Sequence, residues 1–287
     1  MMPLNFTKHS VQKSFLEYQI IKPLKSGGFK STYFAKQNGN RYVLKILDPK
    51  DIVRIKREIR AFKLVTSPYV ARLLRYGQRK VEGKGVIFFV EEYVNGEDLD
   101  TLICDKNRLF DNLEILRFLN CGILAIESLW NPHKIVHRDI KPSNIIIRPD
   151  GDSVLLDLGI ARHQTLSPLT PSGIIGPGTP GFMSPEQLKC IKGALDLRSD
   201  FFGLGICAYM MATSTHPFQA NDYHIVEVDF IPKSPRELNQ KIHVDVSNLI
   251  MKFLERKIYK RPRNSEIALG LIMQVKKEVM KNEKRNE

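Results

Sequence analysis

Little in this chain could staple or anchor it. Cys104, Cys121, Cys190 and Cys207 form no CxxC pair and have no histidine at zinc-ligand spacing. That excludes a disulfide scaffold and a zinc module, and points to a reduced, intracellular setting. Long hydrophobic runs are also missing. The longest, Phe201 to Ala212, is too short to span a bilayer, and the opening MMPLNFTKHS has no apolar stretch of signal-peptide length. The expectation is a soluble chain without a transmembrane segment. Acid is scarce: 31 Asp and Glu stand against 44 Lys and Arg, a net charge of +13. Such a balance suits phosphate-bearing ligands, nucleic acid or an acidic partner. The basic residues, however, are spread from Lys8 to Arg285 without an aromatic RNA motif, which speaks against sequence-specific nucleic acid. No internal repeat or low-complexity segment is present, and an apolar content of 43% across 287 residues can bury one large core or two ordinary ones.

Residues 18–47 read as strands: YQIIKPL, a Gly-Gly turn, STYFAKQ, the turn NGN, and RYVLKIL. Asn38-Gly39 between β-rich runs is a strong hairpin signal. In DIVRIKREIRAFKLV, Ile52, Ile55, Ile59, Phe62 and Val65 recur at helical spacing until Pro68 stops the pattern. GVIFFVEEYV reads as a buried strand broken by Asn95-Gly96, and beyond it the pattern is mainly helical apart from a β- and loop-rich stretch near 135–185. A small sheet with one helix, followed by a larger helical part, is an α+β arrangement of two lobes, with a cleft expected near Glu92 to Asp98. The reading divides the chain into an extension at 1–17, a domain at 18–274 made of lobes 18–92 and 93–274, and a basic tail at 275–287 expected to fray.

The most informative string is IVHRDIKPSNIII at 135–147, with VLLDLG following at 154–159. Asp139 and Asn144 are separated by a loop containing Pro142, and a second acid, Asp157, lies between an apolar run and Gly159. One carboxylate can accept a proton from an attacking hydroxyl while an amide oxygen and a second carboxylate hold magnesium on phosphates, since hard cations take oxygen ligands. Phosphoryl transfer needs that set.

With HRDxKxxN complete as His137, Arg138, Asp139, Lys141 and Asn144, the sequence resembles the protein kinase family over 18–274. The resemblance implies a bilobal kinase fold using ATP with Mg2+, or Mn2+ in its place, on protein substrates. It makes Asp139 the catalytic base, Lys141 a stabiliser of the transferring phosphate, and Asn144 and Asp157 the metal ligands. Lys45 in RYVLKIL matches the lysine that pairs with the α and β phosphates, and Glu58, 13 residues later, matches the helical glutamate that holds it. In GTPGFMSPEQL, Thr179 matches the peptide-site threonine and Glu186 the glutamate that pairs with an arginine, here Arg261; Asp200 matches the aspartate that braces the catalytic loop. Lys141 and Thr179 are the Ser/Thr-kinase choices, and the phrasing is most similar to bacterial eukaryotic-like kinases. A cytoplasmic form, or a secreted effector acting in a host cytosol, is expected, with autophosphorylation of the activation segment at Thr170 or Ser172.

Several positions depart from the family pattern. The glycine-rich loop reads Lys25, Ser26, Gly27, Gly28, Phe29, Lys30, so Gly27 and Gly28 are what remains to let backbone amides approach a phosphate. Thr32 stands where an apolar residue usually covers the adenine. Glu92 to Val94 align with the backbone that hydrogen-bonds adenine, and Asp98 with the acid that reaches the ribose. Alternation along GVIFFVEEYV turns Ile87, Phe89 and Glu91 the same way, inward in the kinase register, with Lys45 the nearest cation for that unusual carboxylate. These departures keep a nucleotide-binding pseudokinase or scaffold open as the alternative to an active Ser/Thr kinase. A small-molecule phosphotransferase is disfavoured, because it has no need of Thr179, Glu186 and Arg261.

Overall fold

β-branched and aromatic residues recur in the strands β1 (Gln19–Pro23), β2 (Lys30–Gln37) and β3 (Asn40–Leu47), and these fold antiparallel in the computed structural model. Described in it are residues 6–24, 30–49, 52–158, 162–163, 178–191 and 193–286. The β2–β3 turn places Asn38 and Gly39 at φ +50° and +78°, the paired left-handed geometry that a two-residue hairpin requires. β4 (Leu73–Val81) and β5 (Lys84–Glu92) complete a sheet of order β1-β2-β3-β5-β4. Its register sets Lys45 opposite both Thr32 and Phe89, and Glu91 between Val43 and Leu73.

Both faces of this sheet are covered. On one, helix α2 (Ile52–Leu64) brings Ile55 against Leu47, Ile87 and Phe89, and the Phe62 ring meets Phe89 edge-on at 6.4 Å. On the other lies α1 (Lys8–Ser14), opened by Thr7, whose hydroxyl accepts from the Ser10 amide. Val11 and Phe15 pack with Phe6, Tyr18, Leu44, Ile46, Phe88 and Val90, and the Arg79 guanidinium lies over the Phe15 ring at 4.6 Å while pairing with Glu17 at 2.8 Å. The sequence shows α1 only as an extension, because a helix of seven residues carries too few apolar positions for a period to emerge. β4 is hidden for a different reason: LLRYGQRKV is rich in charge, as suits an edge strand that must not recruit another chain.

The chain divides into two compact units, the first bounded by Thr66, Ala71 and Val94, the second made of Ser67–Val70 and Asn95–Glu287. The second opens with β6 (Glu97–Asp98) and with α3 (Asn112–Trp130), whose capping box joins the Asp111 carboxylate to the Glu114 amide and the Glu114 carboxylate to the Asp111 amide. Short strands follow: β7 (Ile135–Val136), the hairpin β8 (Ile145–Ile147) and β9 (Ser153–Leu155), and β10 (Arg162–His163), which pairs with β7. Then come α4 (Pro185–Leu188), α5 (Leu197–Thr213), α6 (Asp222–Val226), α7 (Pro235–Leu238), α8 (Val244–Phe253) and α9 (Ser265–Asn286). The longest apolar run is explained by α5, a helix buried on all sides between α3 and α8. Among the described residues no helix is long and apolar enough to cross a membrane.

The tail that begins at 275 belongs to α9, which continues to Asn286. Ala268, Ile272 and Val279 lie buried on one side of it, and Asn282 bonds the His243 ring. That stripe continues the helical spacing into a stretch whose polar composition masks it. Phe15→Ala should destabilise the first unit by about 3–5 kcal/mol, the usual cost of emptying a buried aromatic site. The same change at the exposed Leu16 should leave stability within about 0.5 kcal/mol of the parent. Amide hydrogen exchange in β2 and β5 is the suitable readout, since the single tryptophan, Trp130, lies in the second unit.

Candidate active site

Asp200 lies in the first turn of α5, buried, and its two carboxylate oxygens accept from the backbone amides of His137 and Arg138, each at 2.8 Å. Burial pushes this carboxyl up, to about 7, while the two amide donors pull the other way by favouring the charged form. Two successive amides can converge on one carboxylate because Arg138 takes a left-handed φ of +73°. The His137 ring then accepts the Asp139 amide at Nδ1 (3.2 Å), which leaves Nε2 to donate to the Leu156 carbonyl at 3.1 Å, a neutral tautomer set by its neighbours.

Asp139 is thereby presented to three side chains. Thr179 donates its hydroxyl to Oδ1 at 2.6 Å, and Asn144 Nδ2 donates to Oδ2 at 3.0 Å and to the Asp139 carbonyl at 2.9 Å. Lys141 Nζ lies 3.1 Å from Oδ2 and donates to Thr179 Oγ1 at 2.5 Å. Burial by itself would raise the Asp139 carboxyl, but the Thr179 hydroxyl and the Lys141 charge outweigh it and hold the group below the usual aspartate range. Asp139 is therefore an ionised carboxylate with its side chain 16% exposed, accessible to a further hydroxyl.

Asn144 ends a single turn opened by Pro142, and its carbonyl accepts the Leu156 amide at 2.8 Å; beyond it Ile145 pairs with Leu155. Asp157, at φ +62°, thus follows β9 at the end of the hairpin where Asn144 precedes β8. With its amide nitrogen committed to Asp139, Asn144 keeps Oδ1 for another ligand, and Asp157 adds carboxylate oxygens. Among the described residues no group of three or more His, Cys, Asp or Glu side chains forms a metal cage. Two hard oxygen donors fit a divalent cation that keeps waters and arrives with phosphates.

Glu186, in α4, meets Arg261 twice, Nη1 to Oε1 at 2.7 Å and Nη2 to Oε2 at 3.0 Å, while Ser199 donates to Oε1 at 2.8 Å. Arg261 also donates to the carbonyls of Arg198, Glu255 and Arg256. Burial raises the Glu186 carboxyl, but the Arg261 hydrogen bonds and charge more than reverse this, leaving it below its ordinary 4.5. Three contributors escape the sequence reading: His137 as a hydrogen-bonding spacer, Ser199, and Gln187, which donates to the Arg138 carbonyl at 3.0 Å and accepts from Ser184. The SPEQ string carries the signal for Gln187, since serine at a helix start with Gln three residues later is a capping-box pattern.

In the first unit, Lys45 Nζ lies 2.7 Å from Glu91 Oε1, the side chains being 7% and 3% exposed, and Glu58 of α2 is buried too. Glu92 pairs with Arg72 at 3.0 Å, and Val94 is buried where that unit ends. In the second unit, Asp98 Oδ1 accepts from the amides of Asp100 and Thr101, so this acid also shapes the turn that follows β6. Gly27, Gly28, Thr170 and Ser172 lie outside the described residues.

Glu186→Gln should cost about 3–5 kcal/mol at neutral pH by leaving Arg261 buried without its counter-charge. Because the folded value of Glu186 is depressed, its contribution is full above 4.5 and is lost as pH falls through the lower folded value. In urea titrations, the gap between parent and variant should stay constant down to about pH 5 and close below it.

A protein-family model described as Protein kinase domain matches residues 18–270. A probable serine/threonine-protein kinase of Clostridium perfringens is 30% identical over 274 residues, 91% of this chain and 38% of the relative. Serine/threonine-protein kinase PknA of Mycobacterium tuberculosis is 29% identical over 242 residues, 81% of this chain and 55% of the relative. The DNA damage-responsive serine/threonine-protein kinase RqkA of Deinococcus radiodurans is 30% identical over 260 residues, 86% and 38%. The chain thus spans between 38% and 55% of the length of these relatives. With HRDxKxxN assembled around an ionised Asp139 and the family model covering nearly the whole sequence, the chain belongs to the protein kinase family.

Proposed function

We propose that the chain is an active Ser/Thr protein kinase, transferring the γ-phosphoryl group of ATP to hydroxyls of protein substrates. The observation that carries this reading is Asp139, kept ionised by Thr179 and Lys141 yet accessible, as a base for an incoming hydroxyl must be. Its negative charge also orients that hydroxyl. Lys141, already within reach of Asp139 and Thr179, is placed to follow charge onto the transferring phosphate. Asn144 and Asp157 hold Mg2+, or Mn2+ in its place, which when bound neutralises the charge on the phosphates. Lys45 takes the α and β phosphates with Glu58 as its support, the backbone of Glu92 and Val94 takes adenine, Asp98 the ribose, and Gly27 and Gly28 supply backbone amides to the phosphates. Thr179 and Lys141 favour Ser/Thr acceptors. The four cysteines, all free thiols, accord with a reduced, cytoplasmic setting, and the excess of Lys and Arg suits an acidic partner. The second reading, a nucleotide-binding scaffold with little turnover, draws on one observation, the Lys45–Glu91 contact.

Incubation with radiolabelled ATP, magnesium and a generic basic protein tests the proposal. Asp139→Asn should lower transfer by about 10²–10⁴-fold, and Asp157→Asn and Asn144→Ala should each abolish it while leaving the fold intact. Normal turnover in both metal-ligand variants, with magnesium the sole metal, would sink the assignment. Mass spectrometry after incubation of the enzyme alone should find phosphate at Thr170 or Ser172, for which the guanidinium of Arg138 in the catalytic loop is the charge-assisted partner we propose. An active enzyme with an unmodified segment counts against that step.

A further inference from the structure

The contact between Lys45 and Glu91 joins two strands across one register step. Lys45 faces Phe89, and Glu91 lies two residues further along β5, a diagonal neighbour on the same face that long side chains can reach. The surroundings are apolar: Leu47, Ile55, Ile87 and Phe89 form the adjoining cluster, with Ile59 and Leu73 packed against it. In such a medium an ammonium and a carboxylate at 2.7 Å attract strongly, and each costs free energy if it loses the other without a substitute. Glu58, on the helix that covers this face, is a second buried acid within the same unit.

We propose that Glu91 is a built-in counter-ion for Lys45 which nucleotide phosphate must displace, and that it thereby sets the affinity of the chain for ATP. This rests on the reading of Lys45 as the phosphate-binding lysine. Glu91 acts through that lysine and is a positioning residue. A phosphate oxygen and the Glu91 carboxylate, both anionic, compete for the donors of one ammonium on the strand face they share. The nucleotide therefore contributes a phosphate contact but forfeits an existing one, and ATP binds more weakly than the same pocket with a neutral residue at 91. Adenosine, with no phosphate, has nothing to exchange with Glu91. The dependence on Glu91 is consequently specific to the phosphates.

The experiment is calorimetric titration of ATP and of adenosine into the parent chain, Glu91→Gln, Lys45→Met and the double variant. Glu91→Gln keeps size and removes charge, and Glu91→Met serves as the second variant. ATP should bind roughly tenfold more tightly to each single Glu91 variant, adenosine affinity should be unchanged, and adding Glu91→Gln to Lys45→Met should change neither. In turnover, the KM for ATP should fall without a rise in kcat. Parent-like or weaker ATP binding in folded Glu91 variants, equal shifts for ATP and adenosine, or an effect that persists without Lys45 would each overturn the inference while leaving the kinase reading in place. Loss of the fold in both Glu91 variants would assign the pair to stability and overturn it as well. Failure of the parent and every variant to bind ATP would instead overturn the kinase reading and this inference with it.

Discussion

Asp200 accepts hydrogen bonds from two successive amides, and everything that converges on Asp139 depends on those amides pointing into the second unit. Holding them there requires the left-handed backbone of Arg138, a strain of roughly 1–2 kcal/mol. Hydrogen bonds to a charged acceptor are worth about 1.5–3 kcal/mol each, so the pair of them offsets the strain and part of the cost of burying the carboxylate. Once His137 and Arg138 are fixed, the remaining geometry follows by short steps. The His137 ring takes the Asp139 amide, the Asp139 carbonyl takes Asn144, and the Asn144 carbonyl takes the strand that leads to Asp157.

Two buried ion pairs among the described residues obey different chemistry. Glu186 and Arg261 form a bidentate pair in which the guanidinium also serves three carbonyls and the carboxylate a serine, so every guanidinium donor is used and both carboxylate oxygens are held. A planar guanidinium with five donors suits such a permanent joint. Lys45 and Glu91 meet through a compact ammonium on a flexible stem, whose three donors can turn toward a new anion. Saturated, rigid pairing fits a structural role, and flexible pairing fits exchange with a substrate.

What could be read from the sequence follows from the range of the physics involved. The residues around Asp139 lie within one loop and are legible because their chemistry demands particular types at short spacing. Helix α2 shows through its apolar period, the β2–β3 hairpin through Asn38-Gly39, and the facing of Glu91 through the alternation of β5. Helix α1 is illegible for want of length, and β4 because an edge strand is selected for charge over apolar alternation. The far end of α9 is lost because its few buried residues sit among lysines. Ser199 is missed since a hydrogen bond to a distant carboxylate leaves no local pattern, and for Gln187 the SPEQ capping pattern shows the helix start but not the bond to the Arg138 carbonyl.

The opening of α5 shows how such distant contacts come to be organised by one short segment. Residues 198, 199 and 200 point in successive directions around the helix, separated by about 100° each. The Arg198 carbonyl takes Arg261, the Ser199 hydroxyl meets Glu186, and the Asp200 carboxylate takes His137 and Arg138. Three segments far apart in sequence are therefore indexed against a single helical turn. The rest of α5 is buried apolar surface, which makes that turn costly to displace. Further along, Gly203 admits the Ile140 backbone so closely that an added Cβ would lie 2.9 Å from its carbonyl oxygen, so the loop rests directly on the helix. The apolar run that looks like mere core in the sequence is the template against which the polar loop is set.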